Sequence, residues 1–225
     1  MKYLFLAYRP WALKIINKLK KKFVSKNIYI ISSKNIFNKK IKKFDKKNTT
    51  IILVGWSDLL KNKIVDEFQC FGVHPSDLPS FRGGSPLQNQ ILNNIKKSKI
   101  SLFKLNHRID SGDVYLKTNL SLAGDNMSEI FKKLENSGYV LLSKFLKKYP
   151  KINPIKTKAK SSYFKRRTKN ESKIAVNDFE KKGLEHIYNK IRCLTYPYPN
   201  AYLEDKKGNK LYFESVKFKK NDSPI

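Results

Sequence analysis

The sequence predicts an α/β fold with a largely parallel sheet, followed by a small C-terminal α+β appendage. Three observations predict it. Short apolar, β-prone runs alternate with amphipathic helical stretches from the N-terminus to Pro150. Hydrophobic residues make up 40% of 225 residues and aromatics 12%, enough for a real core despite a formal net charge of +30. After Tyr149-Pro150 the composition turns polar and basic. Residues 1–150 therefore read as one core unit. Residues 151–225 read as a linker, a helix and a β-hairpin.

Lys2 to Ala7 is a buried strand, and Pro10 suits the first position of a helix whose apolar face is Trp11, Ile15, Ile16, Leu19 and Phe23. Asn27 to Ser32 is the next strand, Lys39 to Asn48 a polar connection, and Thr50 to Gly55 a third strand. A weaker helix over Asp58 to Phe68 leads into a strand over Gln69 to Val73. Sheets of this kind bind ligands outside the carboxyl ends of their strands. The segment there, His74 to Pro86, holds three prolines and two glycines in thirteen residues, so it is a shaped loop. Ser85-Pro86-Leu87-Gln88 reads as a capping box opening a helix through Ile91, Leu92 and Ile95. Lys99 to Leu105 and Asp113 to Leu120 are strands joined by a loop. Asn126 and Glu129 cap a long helix whose stripe of Met127, Ile130, Phe131, Leu134, Leu141, Leu142 and Phe145 is core. Asn153 to Asn170 is expected to be a linker, Asp178 to Leu194 a helix, and Ala201 to Glu204 with Lys210 to Phe218 a hairpin around Lys207-Gly208-Asn209.

Composition bounds the function. Two cysteines, Cys70 and Cys193, exclude a disulfide framework and a four-cysteine zinc site. The apolar runs are too short to span a bilayer and Met1 to Ala7 lacks a secretory pattern, so a cytoplasmic protein without a membrane span is expected. Six of the 48 basic residues are Arg, leaving 42 Lys spread along the chain. Readers of phosphate and bases lean on the planar fork of Arg. A solvated lysine-rich surface is therefore preferred to a nucleic-acid interface.

Three histidines are candidates for chemistry. His186 and His107 read as ordinary, whereas His74 stands at a strand's carboxyl end and begins the Pro/Gly-rich loop. Ile109-Asp110-Ser111-Gly112-Asp113 offers two carboxylates in a second loop. A His–Asp pair suits proton transfer, because the carboxylate fixes the imidazole tautomer. No metal-ligand spacing, phosphate-cradling glycine loop or nucleophile elbow is present, so direct transfer between two bound substrates is favoured.

These residues carry a resemblance. Gly72-Val73-His74-Pro75-Ser76-Asp77-Leu78-Pro79 with Arg82-Gly83-Gly84-Ser85-Pro86 resembles the signature of the folate-dependent formyltransferases. The Asp110 loop, 36 residues after His74, resembles the family's second motif. Tyr8 to Ala12, Leu53 to Ser57, Arg166-Arg167-Thr168, Ile191 to Leu194 and Pro197-Tyr198-Pro199 resemble further family segments. The resemblance implies a Rossmann-like formyltransferase core and transfer of a formyl group from 10-formyltetrahydrofolate to an amine, with no metal. It implies His74 and Asp110 as catalytic residues, and Trp56, Ser57 and Asp110 as the folate side. It also implies Ser76, Arg82, Gly83 and Gly84 as a substrate loop. Gly72 stands where the family pattern has an Asn that donates to the developing oxyanion, and Gln88 and Asn89 are the candidates to replace it.

The Gly-Gly-Ser-Pro loop and the Gly55-Trp56-Ser57 segment look most like a subgroup acting on amino sugars of surface-glycan biosynthesis. The expected partner is then a small-molecule amine, a nucleotide-linked sugar or nonulosonic-acid precursor. Methionyl-tRNA formylation, with a nucleic-acid partner, ranks second. A catalytically weakened binding module, motivated by Gly72, ranks third. The β appendage leaves a homodimer open.

Overall fold

The computed structural model describes residues 1–157 and 160–219. The elements run β1 (Lys2–Leu6), α1 (Pro10–Lys22), β2 (Asn27–Ile31), α2 (Lys34–Lys40), β3 (Thr49–Val54), α3 (Asn62–Glu67), β4 (Gln69–His74), β5 (Arg82–Gly83) and α4 (Pro86–Leu92). They continue with β6 (Lys97–Lys104), β7 (Val114–Ser121), α5 (Met127–Lys148), β8 (Tyr163–Phe164), α6 (Asp178–Arg192), β9 (Ala201–Glu204) and β10 (Lys210–Phe213).

The six-stranded sheet has the order β2-β1-β3-β4-β6-β7. The first four strands are parallel, and β6 and β7 are antiparallel to their neighbours. The order reverses between β1 and β3, which opens a crevice at their carboxyl ends. Alternation along β1 divides the core. Tyr3 and Phe5 point into the cluster covered by α1 and α5, while Leu4 and Leu6 point to the face that holds Phe37 and Ile41.

Local chemistry explains the elements. Pro10 occupies the first turn of α1 and Lys20, Lys21 and Lys22 its last, where cations suit the helix dipole. At α5 the expected box forms: Glu129 N–H donates to Asn126 Oδ1 at 3.0 Å, and Asn126 Nδ2 donates to Glu129 Oε1 at 2.8 Å. Leu134, Leu141, Leu142 and Phe145 are fully buried there, so truncating one to Ala costs about 2–5 kcal/mol.

Several expectations are corrected. The polar connection before β3 contains α2, whose single buried side chain, Phe37, gives no periodic signal. The helix expected from Asp58 shrinks to α3, with no buried residue. Ser85 does not cap α4: its φ is +49°, and its Oγ instead accepts from Arg167 N–H at 3.1 Å. The second hairpin strand stops at Phe213. The expected linker contains β8, which pairs with β5.

The C-terminal segment adds to the core. Ile174, Ile187, Ile191, Cys193, Leu194 and Ala201 join the cluster between the sheet, α1 and α5. Arg192 donates to the carbonyls of Leu122 and Gly124 at 2.8 and 2.9 Å. Thr195 Oγ1 accepts from Met127 N–H at 2.8 Å, satisfying a donor at the start of α5.

Candidate active site

His74 ends β4 and is nearly buried. Its Nε2 lies 2.8 Å from the carbonyl oxygen of Phe81, which only accepts, so Nε2 carries the proton. Its Nδ1 lies 3.5 Å from Asp110 Oδ2. The same oxygen accepts from Gly83 N–H at 2.9 Å, which fixes the carboxylate. Asp110 reaches this place by an unusual route. Leu105 N–H bonds Cys70 O at the start of β4, and the following loop returns along the strand to its end. Asp110 takes a φ of +48° to complete the turn.

Gly83 makes the contact possible. Its φ is +92°, and a Cβ there would stand 2.3 Å from Phe164 O. The Pro/Gly-rich loop thus lies directly on β8.

The pair lies on the wall of a cavity of about 700 Å³. One side is apolar, with Leu53, Trp56 and Leu105; Tyr8 packs against Trp56 at 5.4 Å and accepts from Ser57 N–H. The other side has Trp11, Phe131 and Tyr198, their rings in contact at 6.5 and 6.1 Å. The exposed Arg9 and Arg166 line its mouth, and the half-buried Arg167 lines it deeper, bonded to Glu171 O. Burial raises the Tyr198 phenol above its ordinary value, against a hydrogen bond with Gln88 that lowers it.

The sequence-derived candidates divide. His74, Asp110, Trp56, Ser57, Gly83, Gly84 and Gln88 line the cavity. Ser76 does not: it is fully buried and bonds Ser80 O and Ser101 Oγ. Arg82 and Asp113 line a second cavity of about 430 Å³ behind Asp110. Asn89 donates its amide to Gly84 O at 2.8 Å, holding the loop. At Gly72, a Cβ would stand 2.7 Å from two ring atoms of Phe103, so the Phe103 ring fills the space beside His74. Arg9, Trp11, Phe131 and Tyr198 were absent from the candidates. The periodicity of Phe131 placed it in the core stripe, and Tyr198 is brought to the site only by the C-terminal packing. The two cysteines are buried with thiols pushed up to about 12, first by burial, so neither is a nucleophile near neutral pH.

A family model described as formyl transferase matches residues 12–146. The chain belongs to the formyl transferase family. Among solved structures, this formyl transferase family member is similar to a methionyl-tRNA formyltransferase from Clostridium thermocellum. The TM-score is 0.83 and the identity 33%, covering 100% of this chain and 96% of that one. A 4-N formyltransferase from Francisella tularensis has the same fold, with a TM-score of 0.74, 21% identity and coverage of 96% and 99%. Among curated proteins, the methionyl-tRNA formyltransferase of Finegoldia magna is 32% identical over 204 residues, 84% of this chain and 62% of that protein. The bifunctional polymyxin resistance protein ArnA of Wigglesworthia glossinidia brevipalpis is 33% identical over 218 residues, 89% of this chain and 32% of that protein. The chain spans 50% of the matching protein of Rickettsia massiliae, so it covers about half of some curated relatives. No helix among the described residues is long and apolar enough to cross a membrane.

Proposed function

We propose that the chain transfers a formyl group from 10-formyltetrahydrofolate to a primary amine. The observation that carries this reading is the buried His74 facing the half-buried Asp110 on the wall of a large cavity, in a chain of this family. The reaction needs no metal and no covalent enzyme intermediate. The amine nitrogen adds to the formyl carbon, the carbon–N10 bond breaks, and one proton passes from the amine to N10. His74 Nδ1 and the Asp110 carboxylate form the path for that proton, held by Phe81 O on one side and Gly83 N–H on the other. Gln88, buried on the same cavity wall, supplies the donor to the formyl oxygen that Gly72 cannot. The pterin lies against Trp56, Ser57 and the Asp110 loop.

The acceptor we favour is the amine of a nucleotide-linked amino sugar or a nonulosonic-acid precursor. A cavity of about 700 Å³ is in the range of small-molecule sites, and the arginines at its mouth suit an anionic substrate. The second reading is methionyl-tRNA. It is favoured by curated relatives bearing that name at 31–33% identity, and by the 0.83 TM-score to a solved structure that also bears it.

Tetrahydrofolate release should be followed with a panel of 4-amino-sugar nucleotides and, in parallel, with charged initiator tRNA. Turnover with a sugar supports the first acceptor, and turnover with tRNA alone transfers the proposal to the second. Release with neither amine class, at protein concentrations that bind the folate, removes the reaction.

A further inference from the structure

The segment after the long helix, read from sequence as a linker, is built into the catalytic loop. Ser80 Oγ donates to Lys160 O at 3.0 Å, and Ser162 N–H donates to Pro79 O at 3.2 Å. Phe81 N–H donates to Ser162 Oγ at 2.8 Å, Arg82 N–H to Ser162 O at 2.9 Å, and Gly84 N–H to Phe164 O at 2.8 Å. The rings of Phe81 and Phe164 stack in parallel at 4.9 Å. Phe81 is thereby gripped at its amide and its ring. It needs the grip, because its φ is +57°, a conformation that costs a non-glycine residue about 1–3 kcal/mol. The remaining polar group of Phe81, its carbonyl, takes the His74 Nε2 proton at 2.8 Å.

We propose that Ser162 and Phe164 are positioning residues for His74. They hold Phe81 strained so that its carbonyl keeps the proton on Nε2 and leaves Nδ1 facing Asp110. Without the Ser162 hydroxyl or the Phe164 ring, Phe81 relaxes out of the left-handed region and its carbonyl turns from the imidazole. The ring then loses the partner that keeps the proton on Nε2 against the pull of the Asp110 carboxylate on Nδ1, and both tautomers become populated. The strap touches neither the imidazole nor, through these two side chains, the amine, so its effect falls on turnover. In its kinetic arm this inference rests on the formyl-transfer reading. Its spectroscopic arm does not.

The test is made on the full chain labelled with ¹⁵N-histidine, the His74 signals being assigned with His74→Gln. The wild type is expected to show His74 protonated at Nε2 in the neutral ring. Ser162→Ala and Phe164→Leu are expected to show averaged nitrogen shifts of mixed tautomers. Ser162→Thr, which keeps the hydroxyl, restores the wild-type pattern, and Lys165→Ala on the exposed side leaves it unchanged. With a turned-over amine, kcat falls about tenfold in Ser162→Ala and Phe164→Leu while KM for folate and amine stays within twofold. A folded Ser162→Ala or Phe164→Leu protein that retains the Nε2 tautomer overturns the proposal. So does a loss of activity carried by KM alone. If no amine is turned over, the nitrogen shifts still decide it, and that outcome counts against the reaction and not the strap.

Discussion

The inner wall and the mouth of the cavity are built in opposite ways. At the inner wall, His74, Gln88 and the Phe103 ring are nearly buried and anchored on strands or on α4. His74 and Asp110 have neighbours that are backbone groups, the Phe81 carbonyl and the Gly83 amide. At the mouth, Arg9 and Arg166 are exposed, while Arg167 is half-buried and donates to the Glu171 carbonyl at 2.7 Å. A buried, backbone-held group keeps one geometry, as proton transfer requires. An exposed arginine can follow a flexible anionic substrate at the cost of side-chain entropy. On the proposed reaction, chemistry falls to the inner wall and acceptor choice to the segments that close over it.

The comparison can be broken at the inner wall first. Asp110→Asn keeps an acceptor for Gly83 N–H but removes the carboxylate from His74. Turnover should fall by about 10²–10³, with folate affinity within a few-fold by titration calorimetry. Next comes Gly72→Asn, which drives a side chain into the Phe103 ring. It should destabilise the fold by about 1–3 kcal/mol in chemical denaturation, and Gly72→Asn with Phe103→Ala should be more stable than the two single losses sum to. Strict additivity would show that the ring does not occupy that space.

The mouth should respond differently. Arg166→Ala should raise KM for an anionic amine about tenfold with kcat unchanged, and added salt should weaken wild-type binding more than that of the variant. An equal fall in kcat would move Arg166 to the inner wall and erase the contrast. The smallest effect lies within the Pro/Gly-rich loop, at Asp77. Burial acts to raise its carboxyl, but hydrogen bonds and charge from Lys117 and Lys99 outweigh that and hold it below its ordinary value. A depressed carboxyl contributes stability above the unfolded value near pH 4 that is lost as pH falls through the folded one. Asp77→Asn should therefore cost under about 1 kcal/mol at pH 7, because the pair is partly exposed, and the difference should fade in acid.

The inner wall was far more legible in the sequence than the mouth, and for a physical reason. His74 and Asp110 sit in loops whose Pro, Gly and Asp content serves backbone geometry, so their motif is local and readable. The mouth depends on contacts between residues far apart in the chain. Arg166 reaches it, and Tyr198 reaches the wall below it, because Ile187, Ile191 and Leu194 join the core and β8 pairs with a two-residue strand that no periodicity marks. Ser85 shows the limit of motif reading. Its four-residue pattern matched a capping box, yet the left-handed backbone turned its hydroxyl to Arg167. The charge of +30 indicated a general attraction for anions but located no site, because most of it is scattered lysine.

The central claim is that the His74–Asp110 pair performs formyl transfer. It is tested most directly by single-turnover release of tetrahydrofolate from 10-formyltetrahydrofolate, with a saturating amine, in wild type and His74→Ala. The account predicts release coupled one-to-one to formylated amine in the wild type. It predicts a rate at least 10²-fold lower in a folded, folate-binding His74→Ala protein. A His74→Ala rate equal to that of the wild type would contradict it.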